Sequence, residues 1–229
     1  MLPLSWRGGS AIHDEPGRTP HDTTNRPCLH GYRCRGSSRR DCRLCQLSGN
    51  AMTRTGHVTF VLGGARSGKS AFAEQLATAT GLERHYVATG QAHDDEMRER
   101  IARHRADRGA GWTTHEVPDE LAACLRRIGA PDHVVLVDCL TLWLTNLMAA
   151  GRSAETDVAE LIDAIAASRA AIVLISNEVG WGIVPDNALA RRFRDEAGRM
   201  HQNLAERADA VAAVMAGLPM VLKGPASRE

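Results

Sequence analysis

From residue 57 onward, short apolar and β-branched runs alternate with longer stretches whose apolar positions recur every three or four residues. The first run, residues 57–62 (HVTFVL), predicts a strand, and residues 70–80, with Phe72, Ala73, Leu76 and Ala77 at helical spacing, predict the helix that follows. The pattern then repeats. Strands are predicted at 85–89, 113–117, 133–137, 171–176, 210–214 and 220–222, and helices at 94–107, 119–128, 140–149, 154–168 and 187–208. Runs such as HVVLV and AIVLIS show no polar alternation, so they read as strands buried on both faces. Strands of that kind alternating with helices predict an α/β fold with a mostly parallel sheet flanked by helices.

The first 51 residues break the pattern. They carry eight arginines against four acids, many small and polar residues, and no sustained hydrophobic period, which predicts a disordered N-terminal extension ahead of one domain over 52–229. Cys28, Cys34, Cys42 and Cys45 lie there with His30, and only Cys42 and Cys45 have a CxxC spacing. The irregular companions favour an incidental feature over a zinc site. Cys124 and Cys139 fall in apolar stretches and read as buried thiols.

A formal net charge of +1 gives no electrostatic reason to expect a nucleic-acid partner, and no apolar run approaches the roughly 20 residues of a membrane span. The start lacks the apolar centre of a secretory signal, so a cytoplasmic location is expected, with small molecules as partners.

Directly after the first predicted strand stand Gly63, Gly64, Ala65, Arg66, Ser67, Gly68, Lys69 and Ser70, a full match to GxxxxGK[ST] in strand-turn-helix context. Such a loop turns successive backbone N–H groups inward beneath a helix N-terminus and so cradles a polyphosphate. Lys69 would bridge the β- and γ-phosphates, and the Ser70 hydroxyl would ligate Mg²⁺. Among 28 basic residues only Lys69 and Lys223 are lysines. Where a generic cation suffices the chain uses arginine, so the ammonium at 69 reads as a chemical requirement. Asp138 closes the run HVVLV at a strand tip and suits a second carboxylate for the metal, directly or through water; capping the next helix is the rival reading. Asn177 and Glu178 close AIVLIS in the same way.

Residues 94–108 (DDEMRERIARHRADR) place His104 one helical turn from Arg100 and from Arg108. Neighbouring guanidiniums disfavour protonation of the imidazole and offer a cradle for phosphate. A histidine on such a helix is more commonly part of a solvated face.

These motifs resemble the bifunctional adenosylcobinamide kinase / adenosylcobinamide-phosphate guanylyltransferase family, from about residue 58 to the C-terminus. Gly-Gly-Ala-Arg-Ser-Gly-Lys-Ser at 63–70 is similar to that family's P-loop; Arg100, Ile101, His104, Arg105, Trp112 and Glu116 resemble its guanylylation segment. Asp138-Cys139-Leu140-Thr141 with Asn146-Leu147, and Asn177-Glu178-Val179-Gly180 with Gly182-Ile183-Val184-Pro185 and Arg191 to Asp195, resemble two further blocks. The resemblance implies a P-loop NTPase-like fold, a homotrimer, and two reactions on adenosylcobinamide. One phosphorylates the aminopropanol hydroxyl from ATP or GTP; the other transfers GMP from GTP to give adenosylcobinamide-GDP. It implies that His104 is the nucleophile that carries GMP, and that Thr89, Gly90, Gln91, Arg105, Ala106, Asp107, Arg108, Glu116 and Asp138 join the loop in the nucleotide site. A monofunctional kinase would leave the His104 segment without a purpose. A GTP-dependent switch would require an Asn-Lys-x-Asp motif, which neither lysine supplies.

Overall fold

The computed structural model describes residues 52, 55–91, 99 and 109–224. The expected helix at 94–107, the N-terminal extension and its cysteines lie outside the described residues. Strands β1 (Val58–Gly63), β2 (Glu83–Ala88), β3 (Trp112–Glu116), β4 (His133–Asp138), β5 (Ala171–Asn177), β6 (Ala210–Met215) and β7 (Leu218–Lys223) form one sheet in the order β3-β2-β4-β5-β1-β6-β7. Every pairing is parallel except β6 with β7.

Helices α1 (Lys69–Thr78), α2 (Leu121–Ile128), α3 (Leu140–Ala149), α4 (Ala154–Ala167) and α5 (Ala188–Arg207) connect these strands. The alternation of side chains along each strand divides the core in two. Phe60, Val135, Val137, Ile172 and Leu174 point to one face, where they pack with Leu121, Leu125, Leu140, Trp143, Leu161 and Leu204 of α2 to α5. Val61, Val134, Leu136, Val173 and Ile175 point to the other, against Met52 and Phe72, Ala73, Leu76 and Ala77 of α1. Each fully buried large side chain contributes about 1.5–3 kcal/mol, so both helical layers are held chiefly by apolar burial.

Buried parallel strands account for the apolar runs that predicted them: β4 and β5 are shielded almost throughout. The two edges differ. β3 and β7 are largely exposed, and β7 returns antiparallel through a two-residue turn whose Ala216 and Gly217 both have positive φ, 50° and 80°. Such a short turn joins only antiparallel neighbours, which explains why the last strand departs from the parallel rule.

Candidate active site

Parallel strands aim their carboxyl ends at one edge, and register places specific residues along it. Gly63 of β1 pairs with Asn177 of β5, Asp138 of β4 lies opposite Ile175, and Ala88 of β2 lies opposite both Asp138 and Glu116. Ligands in open α/β sheets bind at this edge.

The loop from Gly63 to Lys69 is shaped by close approaches. A Cβ on Gly63 would come within 2.5 Å of Ser67 Oγ and 2.6 Å of the Val214 carbonyl, so only glycine fits. Gly68 turns into α1 with φ 93°, and Arg66 also has positive φ, 56°, a conformation uncommon for a non-glycine residue. The loop is braced from the far side of β1, since Gly217 N–H in the β6–β7 turn donates to the Ser67 carbonyl at 2.8 Å. Lys69 is buried, and its Nζ donates to the Gly64 carbonyl at 3.2 Å. The first turn of α1 carries no acidic residue, which leaves its N-terminal field unopposed for an anion.

A second group of contacts fixes the tips of β2 and β4. Thr89 is fully buried; its hydroxyl donates to the Cys139 carbonyl at 2.7 Å and accepts from Cys139 N–H at 2.9 Å. Thr89 N–H donates to the Asp138 carbonyl, and Tyr86 OH donates to Asp138 Oδ2 at 3.0 Å. Asn146 Nδ2 donates to the Thr89 and Pro118 carbonyls, both at 2.8 Å. The half-buried Asp138 carboxylate is thus oriented by a phenol on the neighbouring strand. Asn177 Nδ2 donates to Thr141 Oγ1 at 2.8 Å, while Glu178 N–H donates to the Gly63 carbonyl at 3.1 Å. Beneath them Ser176 Oγ bonds His201 Nε2 at 2.8 Å, and burial lowers the His201 pKa. Burial first, then the Asp138 carboxylate, pushes the Cys139 thiol pKa up, so Cys139 is suited to packing rather than nucleophilic attack.

Comparison with known proteins places this arrangement. The sequence pattern of the cobinamide kinase / cobinamide phosphate guanyltransferase family matches residues 59–222. The chain belongs to that family. It is 51% identical over 166 residues to the bifunctional adenosylcobalamin biosynthesis protein CobP of Pseudomonas aeruginosa, covering 72% of this chain and 96% of that protein. It is 41% identical over 178 residues to CobU of Salmonella typhimurium, of the same description, covering 71% and 98%. Among solved structures, a KaiC-like protein of Pyrococcus horikoshii is similar with a TM-score of 0.45 and 14% identity, covering 76% of this chain and 82% of that one.

For a member of the cobinamide kinase / cobinamide phosphate guanyltransferase family, the sheet edge gathers much of what the sequence singles out. Lys69, Ser70, Asp138, Asn177, Glu178, Thr89, Gly90, Gln91 and Glu116 all lie at or just beyond the carboxyl ends of β1, β4, β5, β2 and β3. One detail differs from a simple two-strand picture. β5 separates β1 from β4, so Asp138 stands two strands, or about 10 Å across the sheet, from the P-loop strand, with Asn177 and Glu178 between. His104, Arg105, Ala106, Asp107 and Arg108 lie outside the described residues; their segment follows Gln91, which leaves the sheet at this same edge. Tyr86 and Gly217 were invisible to motif reading, because each acts on a residue far away in sequence.

Proposed function

We propose that the chain carries out both reactions of its family at this edge. The P-loop binds the triphosphate of ATP or GTP, Lys69 neutralises charge on the β- and γ-phosphates, and the terminal phosphoryl group passes to the aminopropanol hydroxyl of adenosylcobinamide. The hydroxyl of Ser70 and the carboxylate of Asp138 are hard oxygen donors of the kind Mg²⁺ takes, so those two residues would hold the ion, Asp138 by way of water. Bound there, Mg²⁺ would supply charge neutralisation and alignment of the phosphate oxygens.

For the second reaction, a neutral imidazole nitrogen of His104 attacks the α-phosphorus of GTP. The P–N bond forms as the bond to pyrophosphate breaks, and pyrophosphate leaves. A phosphate oxygen of adenosylcobinamide phosphate then displaces the imidazole, which yields adenosylcobinamide-GDP and restores the free histidine. Thr89, Gly90, Gln91, Arg105, Ala106, Asp107, Arg108 and Glu116 would complete the nucleotide site, in a homotrimer. Family membership together with the P-loop geometry carries this reading.

Incubation with α-labelled GTP tests it. The chain is expected to take up acid-labile, base-stable label, the behaviour of a histidine phosphoramidate. His104→Asn is expected to lose that label and pyrophosphate release while keeping kinase turnover within roughly tenfold, about 1.4 kcal/mol of barrier. Undiminished labelling of the variant would show that another residue carries GMP.

A further inference from the structure

At the opposite, amino end of the sheet, side chains from three adjacent strands converge without any part in the chemistry above. Glu83 begins β2 and pairs in register with His133, which begins β4. His85 lies two residues along β2 from Glu83 and so shares its face. Glu83 Oε1 lies 3.5 Å from His85 Nε2, Glu83 Oε2 lies 3.8 Å from His133 Nε2, and the three donor atoms all fall within 4.8 Å of one another. Zn²⁺ with bonds of about 2.0–2.1 Å and tetrahedral angles separates its ligand atoms by roughly 3.4 Å. The observed spacings therefore need only small side-chain adjustments to enclose an ion.

The hydrogen bonds behind the cluster set which nitrogens are free. His133 Nδ1 lies 2.9 Å from the Ile128 carbonyl, which can only accept, so Nδ1 carries the proton and Nε2 presents its lone pair. His85 Nδ1 lies 2.9 Å from His115 Nε2; with the proton on His85 Nδ1, its Nε2 lone pair also faces Glu83. His85 is 6% exposed, and its Nε2 makes no hydrogen bond. A buried nitrogen left so is costly unless something binds it. Histidine ligands that donate their second N–H to a carbonyl or another acceptor are the usual arrangement around zinc. Glu83 is exposed and His133 partly so, which leaves a coordination position open to water; Asp132 Oδ1, 3.8 Å from His133 Nε2, is a further oxygen nearby.

We propose that Glu83, His85 and His133 bind one divalent transition-metal ion, Zn²⁺, with His115 and the Ile128 carbonyl holding the two imidazoles in register. Two imidazoles and one carboxylate favour Zn²⁺ and its neighbours over Mg²⁺ or Ca²⁺. Along β2, Glu83 lies about 16 Å and His85 about 10 Å from Ala88 at the carboxyl edge, so the ion is structural. It cross-links β2 to β4 and, through His115, steadies exposed β3.

The test uses the full chain, freed of metal by chelation and titrated with Zn²⁺ and with Co²⁺ in excess Mg²⁺, added to compete for the oxygen donors of the phosphate site. One equivalent is expected to bind, to raise the unfolding midpoint, and with Co²⁺ to give visible bands of a four- or five-coordinate site without sulfur-to-cobalt charge transfer. Glu83→Gln and His133→Gln are expected to abolish the metal-dependent rise while leaving the metal-free midpoint near wild type. His115→Phe should weaken affinity by roughly 10–100-fold, as loss of an outer-shell partner does. A Cys42→Ser/Cys45→Ser variant should bind as the wild type does. Absence of stoichiometric binding, binding undiminished in Glu83→Gln and His133→Gln, or sulfur charge transfer lost in the cysteine variant would each overturn the proposal.

Discussion

The two ends of the sheet are built on different principles. At the carboxyl end, the phosphate loop is made of consecutive residues, Gly63 to Ser70, and its shape comes from backbone conformation: glycine at a close approach, positive φ at Arg66 and Gly68, and a helix N-terminus beneath. Towards the amino end, Glu83, His85 and His133 meet, with His115 reaching His85 from further along β3, only because β3, β2 and β4 are neighbours in register. The first end is shaped by its backbone, the second by side chains packed from neighbouring strands. A site of the first kind tolerates most side-chain changes yet depends on one or two residues, whereas one of the second kind depends on every side chain that reaches it.

Lys69 gives the sharpest test of that dependence. Lys69→Ala is expected to lower phosphoryl transfer on the order of 10³-fold, the scale of removing one preorganised charge-stabilising group, with little change in fold. Lys69→Arg should rescue poorly, because a planar fork does not replace a point charge there. Steady-state kinase assay beside thermal unfolding checks both; near-normal turnover of Lys69→Ala would sink the P-loop assignment.

The same contrast decides which features the sequence makes legible. The α/β class, the element order and the phosphate loop are local, so apolar runs and an eight-residue motif reveal them. Asp138 and Glu178 were legible as strand-tip residues, but the insertion of β5 between β4 and β1 was not, since strand order depends on which buried faces pack together. The reversal of β7 was hidden in Ala216 and Gly217, where alanine gave no hint of positive φ. The Tyr86 to Asp138 contact joins residues on different strands, and the imidazole cluster joins three strands; neither leaves a spacing in the sequence.

Asn146 measures how far the carboxyl end also relies on side chains. Its amide donates to two carbonyls, Thr89 and Pro118, that belong to the loops after β2 and β3. Asn146→Ala leaves both without that donor and is expected to cost about 1–3 kcal/mol of stability, read by denaturant unfolding. Nucleotide affinity should weaken with it, because Thr89 in turn holds the Cys139 backbone beside Asp138. An unchanged midpoint would mean that water replaces the amide at no cost.

The smallest effect is one of pH, and it arises under the carboxyl end. His201 is buried against Phe60 and bonds Ser176 Oγ through Nε2; among the described residues, the carboxylate that faces its other nitrogen is Glu178, at 3.9 Å. Burial lowers its pKa below the ordinary histidine value of 6.5, and Glu178 offsets part of that shift. The unfolded chain therefore takes up this proton before the native protein does. Stability from this group is complete above about pH 6.5, falls as pH drops from there to the lower native pKa, and levels off below it. His201→Gln keeps a hydrogen-bonding group for Ser176 but cannot titrate. Metal-free wild type and variant, unfolded in urea between about pH 7.5 and about pH 5.5, should differ in slope, the variant losing less stability on acidification. Parallel profiles would show that Glu178 compensates burial fully and that the acid sensitivity of the chain arises elsewhere.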